Sequence, residues 1–185
     1  MTIQLDIEAN RRARKWSSRE LAYRALWDFL SRPLFAWTPR QFWGWRRFIL
    51  RIFGAQIGHE VQVYPSAKIT IPWNLSLGDQ TAVGDGAILY ALGPIRVGER
   101  VTISQHAHLC AGSHDYTDAA MRLTKLPICI GDDAWICADA FVGPGIVVGK
   151  RAIVAARGVV VKDVLEGTIV GGNPAHLIKQ RPPLA

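Results

Sequence analysis

From Ile57 onward, aliphatic residues recur every six positions. An α-helix repeats near about 3.6 residues and a half-buried strand near about 2, so neither accounts for the spacing. The clearest run is Ile130, Ile136, Val142, Val148, Val154 and Val160, without a slip. Earlier runs are Ile57, Val63, Ile69; then Leu77, Val83, Leu89, Ile95; then Val97, Ile103, Leu109, with the register moving by two between them. Glycine often follows the aliphatic residue (Gly58, Gly78, Gly84, Gly98, Gly131, Gly143, Gly149). The fourth position after it is nearly always small or β-branched: Val61, Ala67, Thr81, Ala87, Val101, Ala107, Ala134, Ala140, Ala152 and Gly158, with the larger Ile146 among them. A period of six is a solenoid period. Each hexad makes a short strand and a turn, and three hexads close a triangular coil. The aliphatic residue fills the interior and the small residue lets the chain turn. The glycine is expected to accept the backbone dihedrals of the corner. Stacked coils then bury one continuous core, so the fold class is mainly β, a parallel β-helix.

The remainder of the chain divides sharply by charge. Residues 1–53 hold eleven Lys/Arg against four Asp/Glu, which is the whole net charge of +7, and five of the seven tryptophans (Trp16, Trp27, Trp37, Trp43, Trp45). Residues 54–182 are therefore assigned to the β-helix and 1–53 to a basic helical segment. Within that segment SSRELAYRALWDFLSRPLFAW carries apolar residues at helical spacing, with Ser17 or Ser18 to cap it and Glu20 in its first turn. A second helix is expected over PRQFWGWRRFILRIF. Three roles compete. The segment can cap the open end of the β-helix. It can lie on an anionic membrane as a peripheral contact, since Arg with Trp and Phe suits a lipid surface. Nucleic acid is set aside, because the β-helix half is neutral and carries no recognition motif.

No apolar run reaches the roughly 18 to 20 residues that span a bilayer, and MTIQLDIEANRRARKW lacks a signal-peptide core. The cysteines (Cys110, Cys129, Cys137) are three, without CxxC spacing. That argues against a disulfide framework or zinc ribbon, and a cytoplasmic location is expected.

The hexads break once, between Leu109 and Ile130. SHDYTDAAMRLTKLP, residues 113–127, has no register and reads as a loop thrown out from a corner. The stretch SQHAHLCAGSHDYTD around its start holds His106, His108 and His114. His106 and His108 lie inside a hexad and are expected to point outward. Surface or inter-subunit histidines are the plain reading, since a metal site needs three or more suitably placed ligands. His114 stands at the base of the loop. Asp115 and Asp118 either orient it, as in a triad, or shape a turn; the turn is favoured. Cys110 is a weaker candidate, a thiol nucleophile without an adjacent base.

IPWNLSLGD (71–79), ISQHAHLCAGSHDYTD (103–118), ICIGDDAWICADAFVGPGIVVG (128–149) and VKDVLEGTIVGGNPA (161–175), together with WGWRRFILRIFGAQIG (43–58), resemble one family. This is the left-handed β-helix of the hexapeptide-repeat acyltransferases, in the branch of the WcaF-type colanic-acid acetyltransferases, related to the maltose and galactoside O-acetyltransferases. The resemblance spans roughly residues 40–182 and implies a homotrimer. It implies transfer of an acetyl group from acetyl-CoA to a sugar hydroxyl in exopolysaccharide biosynthesis, with no metal. His114 would be the general base, a role suited to an imidazole of pKa near ~6.5. Acetyl-CoA would lie in the groove between two subunits, against Ala138 and Ala156, with Val161 and Lys162 towards its far end. His176 and Lys179 occupy the places of two phosphate-facing cations; histidine departs from the usual arginine or lysine there, and Arg181 is the substitute considered. Acceptor contacts are assigned to Asp85, Tyr90 and Trp73, although Asn74 next to Trp73 equally suits a turn between coils. Trp135 projects outward, towards a neighbouring subunit or the groove. A lipid-linked sugar acceptor would suit a protein at the inner face of the membrane. The rival readings are acetylation of a free sugar or xenobiotic, a γ-carbonic-anhydrase-like zinc hydratase, and a non-catalytic trimeric scaffold.

Overall fold

A computed structural model describes residues 4–183. Strands of two to four residues follow one another at hexad spacing, and each pairs with the strand one coil away. The first coil is β1 (Gln56–Ile57), β2 (Gln62–Val63) and β3 (Lys68–Ile69). The second is β4 (Leu75–Leu77), β5 (Ala82–Val83) and β6 (Ile88–Tyr90), and the third β7 (Ile95–Val97), β8 (Thr102–Ile103) and β9 (His108–Cys110). A short antiparallel ladder, β10 (Ser113–His114) with β11 (Leu123–Thr124), stiffens the long loop. The fourth coil is β12 (Ile128–Ile130), β13 (Trp135–Ile136) and β14 (Phe141–Val142), and the fifth β15 (Val147–Val148), β16 (Ile153–Val154) and β17 (Val159–Val160). A partial last coil brings β18 (Thr168–Gly171), against which β19 (His176–Gln180) folds back antiparallel.

The coils thus make a prism with three parallel faces, ordered β1-β4-β7-β12-β15, β2-β5-β8-β13-β16-β18 and β3-β6-β9-β14-β17. The hexad aliphatics stand in register along each face: Ile57, Leu77, Val97, Ile130, Val148 on the first, and Ile69, Leu89, Leu109, Val142, Val160 on the third. All of them are buried and form the core. The two-residue slips in the sequence are insertions at one corner, between the third face and the first. There Ile71 and Ala91 add fully buried side chains, and the same corner throws out the long loop.

The corner glycines do something other than expected. Gly58, Gly78, Gly84, Gly98, Gly131 and Gly149 have no positive φ. They are small because a Cβ there would collide with the next coil: from Gly78 it would lie 2.5 Å from the Gly98 carbonyl carbon, and from Gly149 it would lie 2.5 Å from the Glu166 nitrogen. The left-handed residue comes two places later, and it is seldom glycine: Glu60, Gln80, Arg100, His106, Asp133, Asp139, Arg151 and Arg157 all have φ between 53° and 60°. Left-handed backbone costs an L-residue about 1 kcal/mol. Here it turns the corner N–H onto the carbonyl of the coil before, as in Arg100 N–H to Asp79 O at 2.7 Å and His106 N–H to Asp85 O at 2.9 Å. The coil-to-coil ladder therefore continues around the corners, which offsets the strain.

Along the faces, second-coil carbonyls such as Leu77 O, Thr81 O and Ala87 O accept from the coil before, from the N–H groups of Gly58, Gln62 and Lys68. The first coil is consequently left with carbonyls facing outward. The basic segment covers them. After a short helix α1 (Ile7–Arg12), α2 (Ser18–Ser31) begins with a capping box between Ser17 and Glu20. It runs into a wide helical turn at Arg32–Ala36, and α3 (Trp43–Ile52) lies across the end of the prism. Arg51 donates to Ile57 O at 2.7 Å, Arg47 to Val61 O at 3.0 Å, Arg46 to Val63 O at 2.6 Å, and the Trp27 indole to Ile69 O at 2.6 Å. Every face of the first coil thus receives a side-chain donor in place of a further coil. Arg46 is 0% exposed and also donates to Thr38 Oγ1, Pro39 O and Arg40 O, with its guanidinium 4.7 Å from the Trp43 ring centroid. Burial pushes its pKa down; these acceptors keep it a satisfied cation. Arg46→Met leaves those carbonyls without a donor and is expected to cost about 3 kcal/mol, measured as a fall in the denaturant midpoint.

Candidate active site

The loop at the third–first corner is shaped by its own side chains. Asp115 accepts from the Thr117 N–H and hydroxyl at 2.9 and 2.6 Å, and these bonds hold its carboxyl below the usual carboxylate range. Asp118 accepts from Ala120 N–H and pairs with Arg122 at 2.6 Å. Both aspartates make turns, and neither touches the imidazole of His114. His114 is oriented instead by a main-chain group: its Nδ1 lies 2.6 Å from Met121 O. A carbonyl can only accept, so Nδ1 carries the hydrogen and Nε2 of the neutral, exposed ring presents a lone pair. That is the tautomer a general base requires. No sequence signal could have named Met121, because its contribution is backbone oxygen.

The loop is also tied to the N-terminal segment, which the sequence reading did not foresee. Asp6 N–H donates to Ala119 O at 2.8 Å, and Asn10 Nδ2 to Ala120 O and Met121 O at 2.7 and 2.6 Å. Lys125 donates to Lys15 O at 3.1 Å and sits 3.4 Å from the centroid of the Trp16 ring.

The three histidines of the stretch do not converge. His106 sits at the corner between the second and third faces, its ring against Gly86. His108 does face outward from β9, but it is half-buried between Tyr90 and Phe141, both edge-on to it. Among the described residues no group of three or more His, Cys, Asp or Glu side chains is placed to hold a metal ion. Cys110 donates to Gly112 O at 3.3 Å.

The other candidate residues spread over two corners. Ala138 follows β13 and Ala156 follows β16, so both lie on the second–third corner, where Asp85 also lies in a cleft with Tyr64, Ser104 and His106. Asp85 accepts from the Ser66 hydroxyl at 2.8 Å. Val161 and Lys162 are exposed just after β17, on the third–first corner below the loop. His176 and Lys179 are exposed on β19. Arg181, through one guanidinium nitrogen, donates to Asp133 O and Arg151 O at 2.8 and 3.0 Å, at the first–second corner. Tyr90 stands on the third face beside His108. Trp73 shares the corner of His114, two coils or about 10 Å along the prism, edge-on to Tyr23 in a cleft with α2 and α3. Asn74 donates to Ala91 O and Leu92 O at 2.9 and 3.0 Å, so it braces the turn between coils. Trp135 is outward on β13, its indole N–H on the Ser104 hydroxyl at 2.8 Å.

No protein-family model matches the chain. Among curated proteins, 44% identity over 156 residues links it to the Escherichia coli (strain K12) protein named "Putative colanic acid biosynthesis acetyltransferase WcaF", covering 84% of this chain and 86% of that one. Among solved structures, the hexapeptide-repeat-containing acetyltransferase VCA0836 of Vibrio cholerae O1 biovar eltor, complexed with acetyl coenzyme A, superposes with a TM-score of 0.82 at 26% identity, covering 92% and 93% of the two chains. A maltose O-acetyltransferase from Clostridium difficile 630 gives a TM-score of 0.83 at 23% identity over 98% and 100%, a likeness of fold. The fold is thereby that of the left-handed β-helix acetyltransferases.

Burial pushes the His108 pKa down, and its enclosed Nε2 has no partner, so a proton there would have nothing to bond. Below the unfolded value near ~6.5 the unfolded chain binds the extra proton more readily, and stability falls as pH drops. His108→Gln is expected to lose less stability than wild type between pH 7.5 and pH 5, read from denaturant midpoints at each pH.

Proposed function

The chain belongs to the hexapeptide-repeat acetyltransferases, in the branch of the colanic acid biosynthesis relative, and on that premise we propose that it is an acetyl-CoA-dependent O-acetyltransferase acting on a sugar hydroxyl in exopolysaccharide assembly. The observation that carries the reading is the His114 geometry, a loop imidazole whose Nδ1 is fixed on Met121 O and whose Nε2 is left to accept a proton. In the proposed step the acceptor O–H gives its proton to Nε2 as its oxygen bonds to the thioester carbonyl carbon. The tetrahedral intermediate, its oxyanion held by a backbone N–H of the groove, expels the CoA thiolate, which takes the proton from the imidazolium. The products are the acetyl ester and CoA thiol.

Acetyl-CoA is proposed to bind between copies of a homotrimer. Ala138 and Ala156 stand on one corner and Val161, Lys162 and His114 on another, so a groove between two prisms can use both sets at once. Small side chains admit the pantetheine arm, and Lys162, His176 and Lys179 offer positive or hydrogen-bonding ends for phosphates. The acceptor would enter from the His114 corner, past Tyr90 and Trp73, with Asp85 reaching it only from a neighbouring copy. Thiol release from acetyl-CoA, with a panel of free sugars, lipid-linked sugars and chloramphenicol, tests the reading. Acceptor-dependent release is expected for wild type and about a thousandfold less for His114→Ala, with CoA binding retained. Absence of CoA binding in the wild type would sink it.

The location proposed is the inner face of the membrane. Among the described residues no helix is long and apolar enough to cross a bilayer. The outer surface of the helical cap is nonetheless apolar: Leu21, Leu26 and Phe29 of α2, Trp37, and Trp45, Phe48 and Ile52 of α3 are exposed, Phe29 and Trp37 by 76% each. Exposed Arg19 and Arg32 accompany them, within the segment that holds the whole net charge. Aromatic and basic side chains together suit an anionic lipid surface. Co-sedimentation with phosphatidylglycerol vesicles is expected at low salt, weakened by salt, by pure phosphatidylcholine, and by Phe29→Ser with Trp37→Ser. Equal recovery in the supernatant with both lipids would refute it.

A further inference from the structure

The capping role of the N-terminal segment involves α2 and α3, and it leaves α1 unexplained. This six-residue helix buries no side chain, so apolar packing does not hold it. Its hydrogen bonds beyond the N-terminal segment go to one place, the turn 119–121 of the His114 loop. Asn10 is the centre of them. Its Nδ2 donates to both Ala120 O and Met121 O, and its Oδ1 accepts from Lys15 at 2.7 Å.

Met121 O is the same oxygen that accepts from His114 Nδ1. A carbonyl has two lone pairs, and here one serves the imidazole and the other serves Asn10. The peptide plane carrying that oxygen needs a hold, because Met121 is itself in left-handed backbone, φ 44°, a conformation unfavourable for a side chain of its kind. Without Asn10 the turn can relax, and the oxygen that sets the ring's tautomer and direction moves with it.

We propose that Asn10 is a positioning residue for His114, acting through the Met121 carbonyl, so that α1 is a strap on the active-site loop. The inference rests on His114 being the base of the proposed reaction. It assigns the segment two separate tasks. The helices α2 and α3 close the prism, while α1 and the Lys15–Trp16–Lys125 contact hold the loop.

The experiment compares Asn10→Ala with Asn10→Asp. The aspartate keeps the size and the Lys15 partner but offers no N–H to the carbonyls. Arg12→Ala, which removes only the exposed pair with Glu8 on the same helix, is the control. Steady-state thiol release and the ¹⁵N spectrum of the His114 imidazole are recorded for each. The expected result is a kcat lower by about tenfold to a hundredfold in both Asn10 variants, with KM for acetyl-CoA unchanged. The His114 signal should shift from the Nδ1–H form towards a mixture of tautomers, and Arg12→Ala should match wild type. A merely structural role would alter melting temperature and leave the tautomer as it was. Retention of the Nδ1–H form in both variants, or an unchanged kcat, would overturn the proposal. If no acceptor supports turnover in the wild type while the tautomer still shifts, the positioning stands and the acetyltransferase reading falls.

Discussion

Coils stacked about 4.8 Å apart set the terms for everything else in this molecule. At that spacing several of the corner positions after a hexad aliphatic have no room for a Cβ, which is why glycine recurs there, with 2.5 Å separating the hypothetical methyl from the next coil at Gly78 and Gly149. The same spacing puts Ile57, Leu77, Val97, Ile130 and Val148 on one line of contact. Three such lines make a dry interior that leaves no space inside the prism for a substrate. Chemistry is therefore confined to corners and outer faces.

The ladder also has a direction, and that direction explains the charge distribution. Carbonyls such as Leu77 O and Thr81 O accept from the coil before, so their first-coil counterparts at the N-terminal end are left as acceptors, which only donors can satisfy. Arg46, Arg47, Arg51 and Trp27 supply them. A part of the basic, tryptophan-rich composition is thus a requirement of closing this end of a parallel β-helix, independent of any anionic partner. The exposed apolar residues of the same helices serve no such need, which is what separates the capping role from the proposed lipid contact.

Much of the fold was legible because burial and period are written in side chains. The hexads, the break after Leu109, the loop and both larger helices follow from spacing alone. The corner glycines were assigned the wrong cause, since dihedral freedom and close approach select the same residue; only the geometry separates them, with the left-handed turn falling on residues such as Arg100 and His106. At the candidate site, the position of His114 at the base of the loop and the turn-forming aspartates were within reach of sequence. The Met121 carbonyl was not, because any residue can supply a backbone oxygen. Asn10 was hidden for another reason: it lies 104 positions from His114 in the chain, and a lone polar residue on a short helix carries no pattern.

The distribution of candidate residues bears on assembly. Ala138, Ala156 and Asp85 lie on one corner of the prism, while His114, Val161, Lys162 and Trp73 lie on another, with the whole third face between them. The filled interior gives no path from one set to the other within a chain. If both sets serve one reaction, the missing half must come from a second copy turned so that its other corner meets the first, and a closed ring of three satisfies every corner in the same way. The strap formed by α1 then belongs to the copy that supplies the base, since Asn10 and His114 meet within one chain through Met121. Orientation of the base is in this arrangement an intramolecular property, set before assembly, whereas the donor groove exists only after it.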